Sequence, residues 1–443
     1  MPLKTKENIS LIGAGLSGPV MATYLSSLGF STDIYESRSD MRTNSTSAGR
    51  SINLALSARG IKALKDIGVY EKIKPTLIPM SGRMIHDGNG DVHLQPYGQK
   101  KNEVIYSVPR SNLNKTLMDY AESTNSVNFN FDHELQDIDL KRLKLRFQDR
   151  NIPFSRILGS DGASSKVRDF ISKNSDASFL KKPLGHGYKE LTILPNSNGE
   201  FQLDSNSLHI WPRGEFMLIA LPNFDRSFTC TLFLPMEGDN SFSHLNSEKK
   251  VLEFFKKYFP DTLQLISDLP GEYQKRPVGK LGSIYCSKWH YNDRAAIFGD
   301  AAHTIVPFFG QGMNASLQDC TVMYSFVKKY DGNWDKIFTK FSEKQVPNGH
   351  AIADMALENY IEMRDSVNDP KYKIKRELEF DLENKFWDRF VPRYSMVSFH
   401  ELPYSEVYRR GEVQSKLMHS FIVGDLTKKK LYEQIESKLT PIR

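Results

Sequence analysis

The chain has few cysteines and no long apolar run. Cys230, Cys286 and Cys320 are the only cysteines among its 443 residues, and they are odd in number and widely spaced. That distribution argues against a disulfide framework and a metal cluster, so a reducing compartment such as the cytoplasm is expected. Because no stretch of about twenty apolar residues occurs, no membrane-spanning segment is expected. A glycine motif begins as early as residue 13, so no signal peptide is expected either.

A strong charge of one sign is also missing. The formal net charge is only +6, and the lysine run at residues 428–430 is typical of a solvated helix face. Nucleic acid is therefore not an expected partner, whereas a mild positive balance suits an anionic cofactor and a carboxylate substrate. The apolar share of 39% supports ordinary cores, and the length suits two domains and a helical tail.

The N-terminal region has the order strand, glycine-rich turn, helix, strand. Residues 9–12 (ISLI) have the pattern of a short buried strand, and residues 13–18 (GAGLSG) follow at once. A helical stretch then extends to about Ser27, and a second strand near residues 32–35 ends in Glu36. This order, with an acid at that distance, predicts a dinucleotide-binding βαβ unit.

Each glycine of such a motif, and the acid that follows it, has a physical task. Gly13 makes the tight turn, Gly15 lets the backbone approach a pyrophosphate, and Gly18 allows the helix to pack closely on the strand. Glu36 accepts hydrogen bonds from the ribose hydroxyls of the adenosine.

A second block indicates which dinucleotide is bound. Residues 299–303 (GDAAH) are followed by Pro307 and then by residues 310–314 (GQGMN). The Asp300 carboxylate can accept hydrogen bonds from a ribityl chain, and the glycines let backbone approach a flat ring. A helix starting near residues 311–314 would favour negative charge on that ring, as on a reduced flavin. The block predicts a flavin site.

A third block lies between these two. Residues 157–160 have the pattern of a buried strand, and residues 161–168 (DGASSKVR) form a loop that enters a helix. An Asp-Gly pair is a common turn and means little alone. Its position between the other two blocks gives Asp161 weight as a cofactor residue.

The three blocks are far apart in the chain, so the nucleotide domain must be discontinuous. Residues 185–235 are rich in strand pattern, including a hairpin, and the pattern turns helical beyond about residue 316. The predicted class is α/β, with a discontinuous Rossmann-like FAD-binding domain, an antiparallel β-sheet substrate domain and a C-terminal helical region. The predicted bounds are 1–72, 104–176 and 285–345 for the FAD-binding domain, 73–103 and 177–284 for the substrate domain, and 346–443 for the helical region.

Together the blocks resemble the single-component FAD aromatic hydroxylases, which share the fold of p-hydroxybenzoate hydroxylase. The resemblance extends from residue 9 to about residue 402. Within that group, several long strings resemble the kynurenine 3-monooxygenase family. They are residues 50–57, 82–86, 186–191, 208–213, 307–314 and 359–363.

The resemblance implies an FAD that is tightly but non-covalently bound, with NADPH and O2 as co-substrates. It implies hydroxylation of L-kynurenine to 3-hydroxykynurenine through a flavin C4a-hydroperoxide, by a monomer or homodimer. The cofactor residues that it implies, together with those of the motifs, are Gly13, Gly15, Leu16, Gly18, Glu36, Arg38, Arg110, Asp161, Asp300, Pro307, Gly312, Met313 and Asn314.

The same resemblance assigns the substrate site. The residues implied are Arg83, Tyr97, Asn359 and Tyr394 at the amino-acid end, with Phe233 and Met363 against the ring. An arginine offers a bidentate fork to a carboxylate, and a tyrosine hydroxyl adds a directed donor. By residue type alone the two tyrosines could equally be core residues, and so could Phe233 and Met363.

No residue is predicted to act as acid or base, because the aniline nitrogen of the substrate already activates its ring. The protein must instead exclude water and stabilise charge on the reduced flavin. For His303, a structural hydrogen bond that holds the Asp300 loop is favoured over a role as general acid.

Two departures from the family and three alternatives remain. The chain ends without the hydrophobic anchor of membrane-bound members, and Phe309 stands where some bacterial relatives have histidine. The alternatives are an FAD hydroxylase of another aromatic acid, a flavin-dependent halogenase and a non-catalytic escort protein of the same fold. No Trp-x-Trp segment supports the halogenase, and the intact 161–162 and 299–300 pairs argue against the escort protein.

Overall fold

The computed structural model describes residues 7–43, 53–366 and 370–442. The chain divides into two compact units. Unit 1 comprises Met1–Leu77, Val108–Pro183 and Gly282–Ala353, and unit 2 comprises Ile78–Ser107, Leu184–Leu281 and Asp354–Arg443. These units describe packing, and the functional division of the chain into domains stays a prediction.

The strands are β1 (Asn8–Ile12), β2 (Ser31–Tyr35), β3 (Asn53–Leu56), β4 (Ile78–Met80), β5 (Gly82–His86), β6 (Val92–Pro96), β7 (Ile105–Pro109), β8 (Val127–Asn130), β9 (Asp137–Asp139), β10 (Lys144–Arg146), β11 (Asn151–Pro153), β12 (Arg156–Gly159), β13 (Phe179–Ile193), β14 (Ser207–Arg213), β15 (Phe216–Pro222), β16 (Phe228–Pro235), β17 (Gly279–Cys286), β18 (His290–Tyr291) and β19 (Ala295–Ile297).

The α-helices are α1 (Ser17–Ser27), α2 (Ala58–Asp66), α3 (Tyr70–Ile73), α4 (Arg110–Glu122), α5 (Lys166–Asn174), α6 (Glu248–Tyr258), α7 (Leu269–Lys275), α8 (Asp300–His303), α9 (Gly312–Tyr330), α10 (Trp334–Ile361), α11 (Pro370–Lys385), α12 (Arg393–Phe399), α13 (Tyr404–Ile422) and α14 (Lys428–Lys438). Short 3-10 turns occupy Lys74–Thr76, Pro260–Gln264 and Pro307–Phe309, and a π-helical turn occupies Glu362–Ser366. Within the described ranges, no helix is both long and apolar enough to cross a membrane.

The main sheet of unit 1 has the strand order β18-β19-β12-β1-β2-β8. All neighbouring pairs are parallel except β18 with β19, which is antiparallel. Residues 9–12 of β1 are buried on both faces, as parallel strands are when helices cover both sides of a sheet. The predicted order of strand, glycine turn, helix and strand is therefore present, with α1 between β1 and β2.

In unit 2, consecutive strands of a larger sheet lie in the order β13-β16-β15-β14-β5-β6. The pairs are antiparallel except β5 with β14, which is parallel. Strands β15 and β16 form the predicted hairpin around the polar loop at residues 223–227.

Helices α6 and α7 cover one face of this sheet, which the strand-rich pattern had not indicated. Trp211, Leu218 and Leu232 from the strands form one buried cluster with Phe254 and Phe255 of α6. Because successive residues of a strand point to opposite faces, their neighbours in sequence lie on the other face. That second face carries Arg83.

The last part of the predicted helical region contains helices α13 and α14. Helices α13 and α14 are separated by a turn in which Gly424 has a φ of +87°, a conformation that favours glycine. Leu417 and Ile435 of these helices pack with Leu382 of α11 in a separate buried cluster. The fold within the described residues is mixed α/β with several sheets and a helical C-terminal region, which confirms the predicted class.

Candidate functional site

The carboxyl ends of four neighbouring parallel strands in unit 1 carry the predicted cofactor residues. Gly13 follows β1, Glu36 follows β2, Asp161 lies two residues after β12, and Asp300 lies three residues after β19. These strands are adjacent in the order β19-β12-β1-β2. Ligands of open parallel sheets bind at this edge, so chain topology brings together blocks that are far apart in sequence.

The glycine turn after β1 leaves backbone accessible at one point. Gly13 has a φ of +101°, and its amide donates to the Tyr35 carbonyl at 2.8 Å. A Cβ at Gly18 would lie 2.2 Å from the Gly13 carbonyl oxygen, so only glycine permits this packing. A Cβ at Gly15 would meet no protein atom within 4 Å. The open space beside Gly15 is where the motif places a pyrophosphate.

Glu36 is buried and ionised. Its Oε2 accepts from the Ala14 amide at 2.9 Å, and its Oε1 accepts from the Arg38 Nε at 2.7 Å. Burial raises the pKa of Glu36, but the hydrogen bonds from Arg38 and Ala14 outweigh it and the pKa is lowered. The Glu36 carboxylate thus connects the Arg38 side chain to the backbone of the glycine turn.

Asp161 caps its own helix. One carboxylate oxygen accepts from the Ser165 hydroxyl at 2.5 Å, and the other accepts from the Lys166 amide at 2.7 Å. Burial raises the pKa of Asp161, and these hydrogen bonds oppose that effect. Both oxygens accept hydrogen bonds from residues at the start of α5, so this carboxylate stabilises the loop that enters the helix. Its contact with a cofactor stays a prediction.

Asp300 is exposed at the first position of α8, after a glycine in an unusual conformation. Gly299 has φ +62° and ψ −146°, a region that side-chain-bearing residues avoid. His303 does not face outward: its Nε2 lies 2.6 Å from a carboxylate oxygen of Asp319, and that oxygen also accepts from the Gly299 amide. The geometry therefore favours the structural role of His303.

The loop after α8 places a helix N-terminus at the same site. A 3-10 turn at Pro307–Phe309 ends at Gly310 in the left-handed conformation, and α9 then begins at Gly312, within the predicted interval. Asn314 holds this loop, since its side-chain amide donates to the Gly310 carbonyl and its oxygen accepts from the Ser57 amide.

The other predicted cofactor residues take ordinary positions. Leu16 and Met313 are buried, whereas Arg110 is the exposed first residue of α4. Residues 50–52, the start of one family-like string, lie outside the described residues.

Five of the six predicted substrate residues cluster in unit 2. The Arg83 side chain is buried on β5, with its guanidinium carbon 4.9 Å from the ring centre of Tyr394 and 6.0 Å from that of Tyr97. The two tyrosine rings are stacked 4.9 Å apart. Asn359 accepts from the Arg83 Nη2 at 3.4 Å and donates to the Met363 sulfur at 3.2 Å.

The electrostatics of this cluster suit a carboxylate ligand. Among the described residues, Arg83 forms an ion pair with Glu362, whose Oε1 lies 3.8 Å from Nη1, a long distance for a charged hydrogen bond. Burial lowers the pKa of Arg83, but Tyr372, Tyr394 and Glu362 outweigh it, so the guanidinium stays charged. Burial raises the pKa of Tyr97 and of Tyr394, so both phenols keep their protons and can donate.

Phe233 lies on the same face of the sheet but not in the cluster. Its neighbours Leu232 and Leu234 belong to the core beneath α6, so the Phe233 ring points to the opposite face, as Arg83 does. Strands β16 and β5 are three steps apart in the sheet. At about 4.8 Å a step across the sheet, with a further offset of four residues along the strands at about 3.3 Å each, the two residues are roughly 20 Å apart along the face.

Three residues near these sites were missed by sequence reasoning. Glu362 accepts from the Tyr372 hydroxyl at 3.1 Å, and Arg376 donates to the Tyr97 carbonyl at 2.8 Å. Asp319 joins the turn before Asp300 from a position on α9. Glu362 stands within the 359–363 string and could have been noted there. The sequence carries no local signal for the other two, because their partners are far away in the chain.

The residues of unit 1 fit an FAD. The open space at Gly15 accepts a pyrophosphate without steric overlap, and the exposed Asp300 carboxylate is available to hydroxyl donors. The N-terminus of α9, a helix of 19 residues, favours negative charge nearby.

Comparison with known proteins identifies the family. The FAD binding domain family matches residues 6–181 and 242–332. A kynurenine 3-monooxygenase of Myxococcus xanthus (strain DK1622) is 41% identical over 98% of this chain and 96% of its own length. A kynurenine 3-monooxygenase of Stenotrophomonas maltophilia (strain K279a) is 41% identical over 94% and 93%, respectively.

A solved structure supports the fold. The tetrameric form of 2-methyl-3-hydroxypyridine-5-carboxylic acid oxygenase superposes with a TM-score of 0.67 at 17% identity, covering 83% of this chain and 95% of that one.

The predicted FAD cofactor and the predicted class of enzyme, an FAD-dependent monooxygenase, are confirmed. With two-fifths identity along nearly its entire length, the chain belongs to the kynurenine 3-monooxygenase family of FAD-dependent aromatic hydroxylases.

Proposed function

We propose that this chain hydroxylates L-kynurenine to 3-hydroxykynurenine, with NADPH and O2 as co-substrates. The observation that carries the proposal is the buried Arg83, which lies beside two stacked tyrosines and has Glu362 as an acidic neighbour at 3.8 Å. A buried cation of this kind needs an anion, and an α-carboxylate supplies one. The substrates named for the relatives contain such a group.

Arg83 and its neighbours bind and orient the substrate in this proposal. The guanidinium and the two phenols donate to the carboxylate, while Glu362 and the Asn359 oxygen can accept from the α-ammonium group. A substrate anchored at Arg83 then extends along the face of the sheet opposite α6, in the direction of Phe233. Met363, buried beside Asn359, contributes apolar surface at the anchored end.

FAD, when bound, supplies the redox chemistry that activates O2. Gly15 and Asp300 would hold its pyrophosphate and ribityl chain, and the start of α9 would favour negative charge on the ring. The remaining task of the protein is to exclude water, which needs no general acid or base. None of the proposed substrate residues is required to accept a proton.

The direct test measures NADPH oxidation with and without L-kynurenine and identifies the product. We expect stimulation by L-kynurenine and formation of 3-hydroxykynurenine. Stimulation by another aromatic acid, with hydroxylation of that compound and none of L-kynurenine, would favour a related hydroxylase instead. If the FAD-loaded protein did not oxidise NADPH with any substrate tested, the non-catalytic escort protein would be favoured.

The FAD is expected to be non-covalent. Cys230, Cys286 and Cys320 are all buried, and burial raises the pKa of each thiol, so none is a reactive thiolate. Acid precipitation of the yellow protein should therefore release the colour into the supernatant. Colour that remains on the pellet would contradict this expectation. The cytoplasmic location and the monomeric or homodimeric state stay predictions.

A further inference from the structure

We infer that Asp319 is a positioning residue of the flavin site, which sets the Asp300 carboxylate in place by holding the turn that precedes it. The inference rests on the proposed contact of Asp300 with FAD. Asp319 itself is 1% exposed on α9 and does not belong to any of the three sequence blocks.

The Asp319 carboxylate is the centre of a buried hydrogen-bond network in unit 1. Its Oδ2 accepts from the Gly299 amide at 2.8 Å and from the His303 Nε2 at 2.6 Å. Its Oδ1 accepts from the Gln345 side chain at 2.6 Å. Gln345 in turn accepts from the Asn348 side chain at 2.8 Å, so α10 supports the carboxylate from behind.

These bonds reach both sides of Asp300. Gly299 precedes it in a conformation with positive φ, and His303 closes the single turn of α8 that Asp300 begins. Glycine can adopt many backbone conformations, so the conformation of Gly299 is fixed by its surroundings, and Asp319 supplies acceptors to both ends of this turn. Without those acceptors, the turn can relax and Asp300 loses its direction.

Both oxygens of Asp319 must act as acceptors. Burial lowers the pKa of His303, but the adjacent Asp319 carboxylate outweighs burial and the pKa is raised. An ionised carboxylate accepts at each of its oxygens, whereas an asparagine must present an amide donor on one side. The side-chain NH2 of an asparagine at this position would face another donor, either the Gln345 amide or the Gly299 and His303 N–H groups.

Helix α9 links two parts of the flavin site through this residue. Its first turn, from Gly312, faces the proposed ring position, and Asp319 lies two turns further along. One helix thus fixes the distance between its own N-terminus and the turn that carries Asp300. Such support is what keeps a binding group within a fraction of an ångström of its working position.

The test is a double-mutant cycle on FAD affinity, measured by titrating apoprotein with FAD and following flavin fluorescence. Asp300→Ala is expected to weaken binding by about five- to a hundredfold, and Asp319→Asn by about tenfold. Because Asp319 acts through Asp300, the double variant should bind FAD no more weakly than Asp300→Ala alone.

Two controls separate positioning from loss of stability. Val327→Ala truncates a buried side chain at the far end of α9, and should lower the unfolding midpoint while keeping FAD affinity. If Asp319→Asn fails to fold, His303→Gln and His303→Leu replace it in the cycle. The glutamine keeps a donor towards Asp319 and should bind FAD more tightly than the leucine.

Each remaining outcome overturns the inference. Losses that multiply in the double variant would show that Asp319 acts independently of Asp300, while the cofactor role of Asp300 would stand. Unchanged FAD affinity in Asp300→Ala would overturn both the cofactor role of Asp300 and the positioning role of Asp319. Unchanged affinity in Asp319→Asn, or equal affinity of the two His303 variants, would overturn the inference alone.

Discussion

Gly15→Ala is expected to abolish tight FAD binding without destabilising the apoprotein. The added Cβ would meet no protein atom within 4 Å, and the backbone of Gly15 does not have a positive φ. The free energy of unfolding of the apoprotein should therefore stay the same or rise by up to about 1 kcal/mol. The same methyl group would project into the space of the pyrophosphate, at a cost of about 1–3 kcal/mol. FAD affinity should fall by up to about a hundredfold.

Two glycine variants provide the comparison. Gly88→Ala also adds a methyl group to open space, but in an exposed turn of unit 2, and should change neither stability nor FAD affinity. Gly18→Ala would place its Cβ 2.2 Å from the Gly13 carbonyl oxygen and should lower both. Chemical denaturation of apoprotein and FAD titration measure the two quantities. If Gly15→Ala bound FAD as tightly as the unmutated protein, the pyrophosphate would not lie beside Gly15.

Arg83→Ala is expected to weaken L-kynurenine binding by about ten- to a hundredfold. The variant loses a charged, forked contact with the carboxylate, worth about 1.5–3 kcal/mol, and each 1.4 kcal/mol is a factor of ten. FAD content should not change, because Arg83 is not among the residues assigned to the cofactor. Kynurenine-stimulated NADPH oxidation should fall with binding, since flavin reduction in an empty site would only waste NADPH. Substrate titration and NADPH oxidation measure these effects.

The fork and the charge can be told apart. Arg83→Lys keeps the charge but offers a single ammonium instead of a planar fork, so its affinity should lie between those of the unmutated protein and Arg83→Ala. Decarboxylated kynurenine should bind poorly to the unmutated protein and should distinguish little between it and Arg83→Ala. Unmutated affinity and stimulation in Arg83→Ala would remove the main chemical support for kynurenine as the substrate.

The local parts of the nucleotide unit could be predicted from the sequence. Strand β1, the glycine turn, α1 and β2 follow one another within about thirty residues, and each step has a local cause. Apolar residues form the strand, glycine permits a φ of +101° at residue 13, and the acid stands at the end of the second strand. The start of α9 at Gly312 was predictable for the same reason, since a Pro and Gly loop precedes it.

Other features could not be predicted from the sequence alone. Asp161 stands at a strand end, which suggests a ligand, but its carboxylate caps α5 through residues four and five positions further on. Residues 248–275 lie beyond the strand-rich stretch of residues 185–235 but within the predicted β-sheet domain, and they form α6 and α7 against the sheet. A short helix that packs on a sheet gains most of its stability from that tertiary contact rather than from its own sequence.

By itself, the sequence determined the type of cofactor, the family and the order of the first elements of the nucleotide unit, because these depend on motifs read within short stretches. Only the tertiary structure decided which side chains meet. Arg83 and Asn359 are 276 residues apart, and Gly299 and Asp319 meet across a turn and a helix. Such pairings follow from sheet order, strand register and the face on which each side chain lies. A chain periodicity of two or of 3.6 residues specifies a face, but it does not specify what will be packed against it.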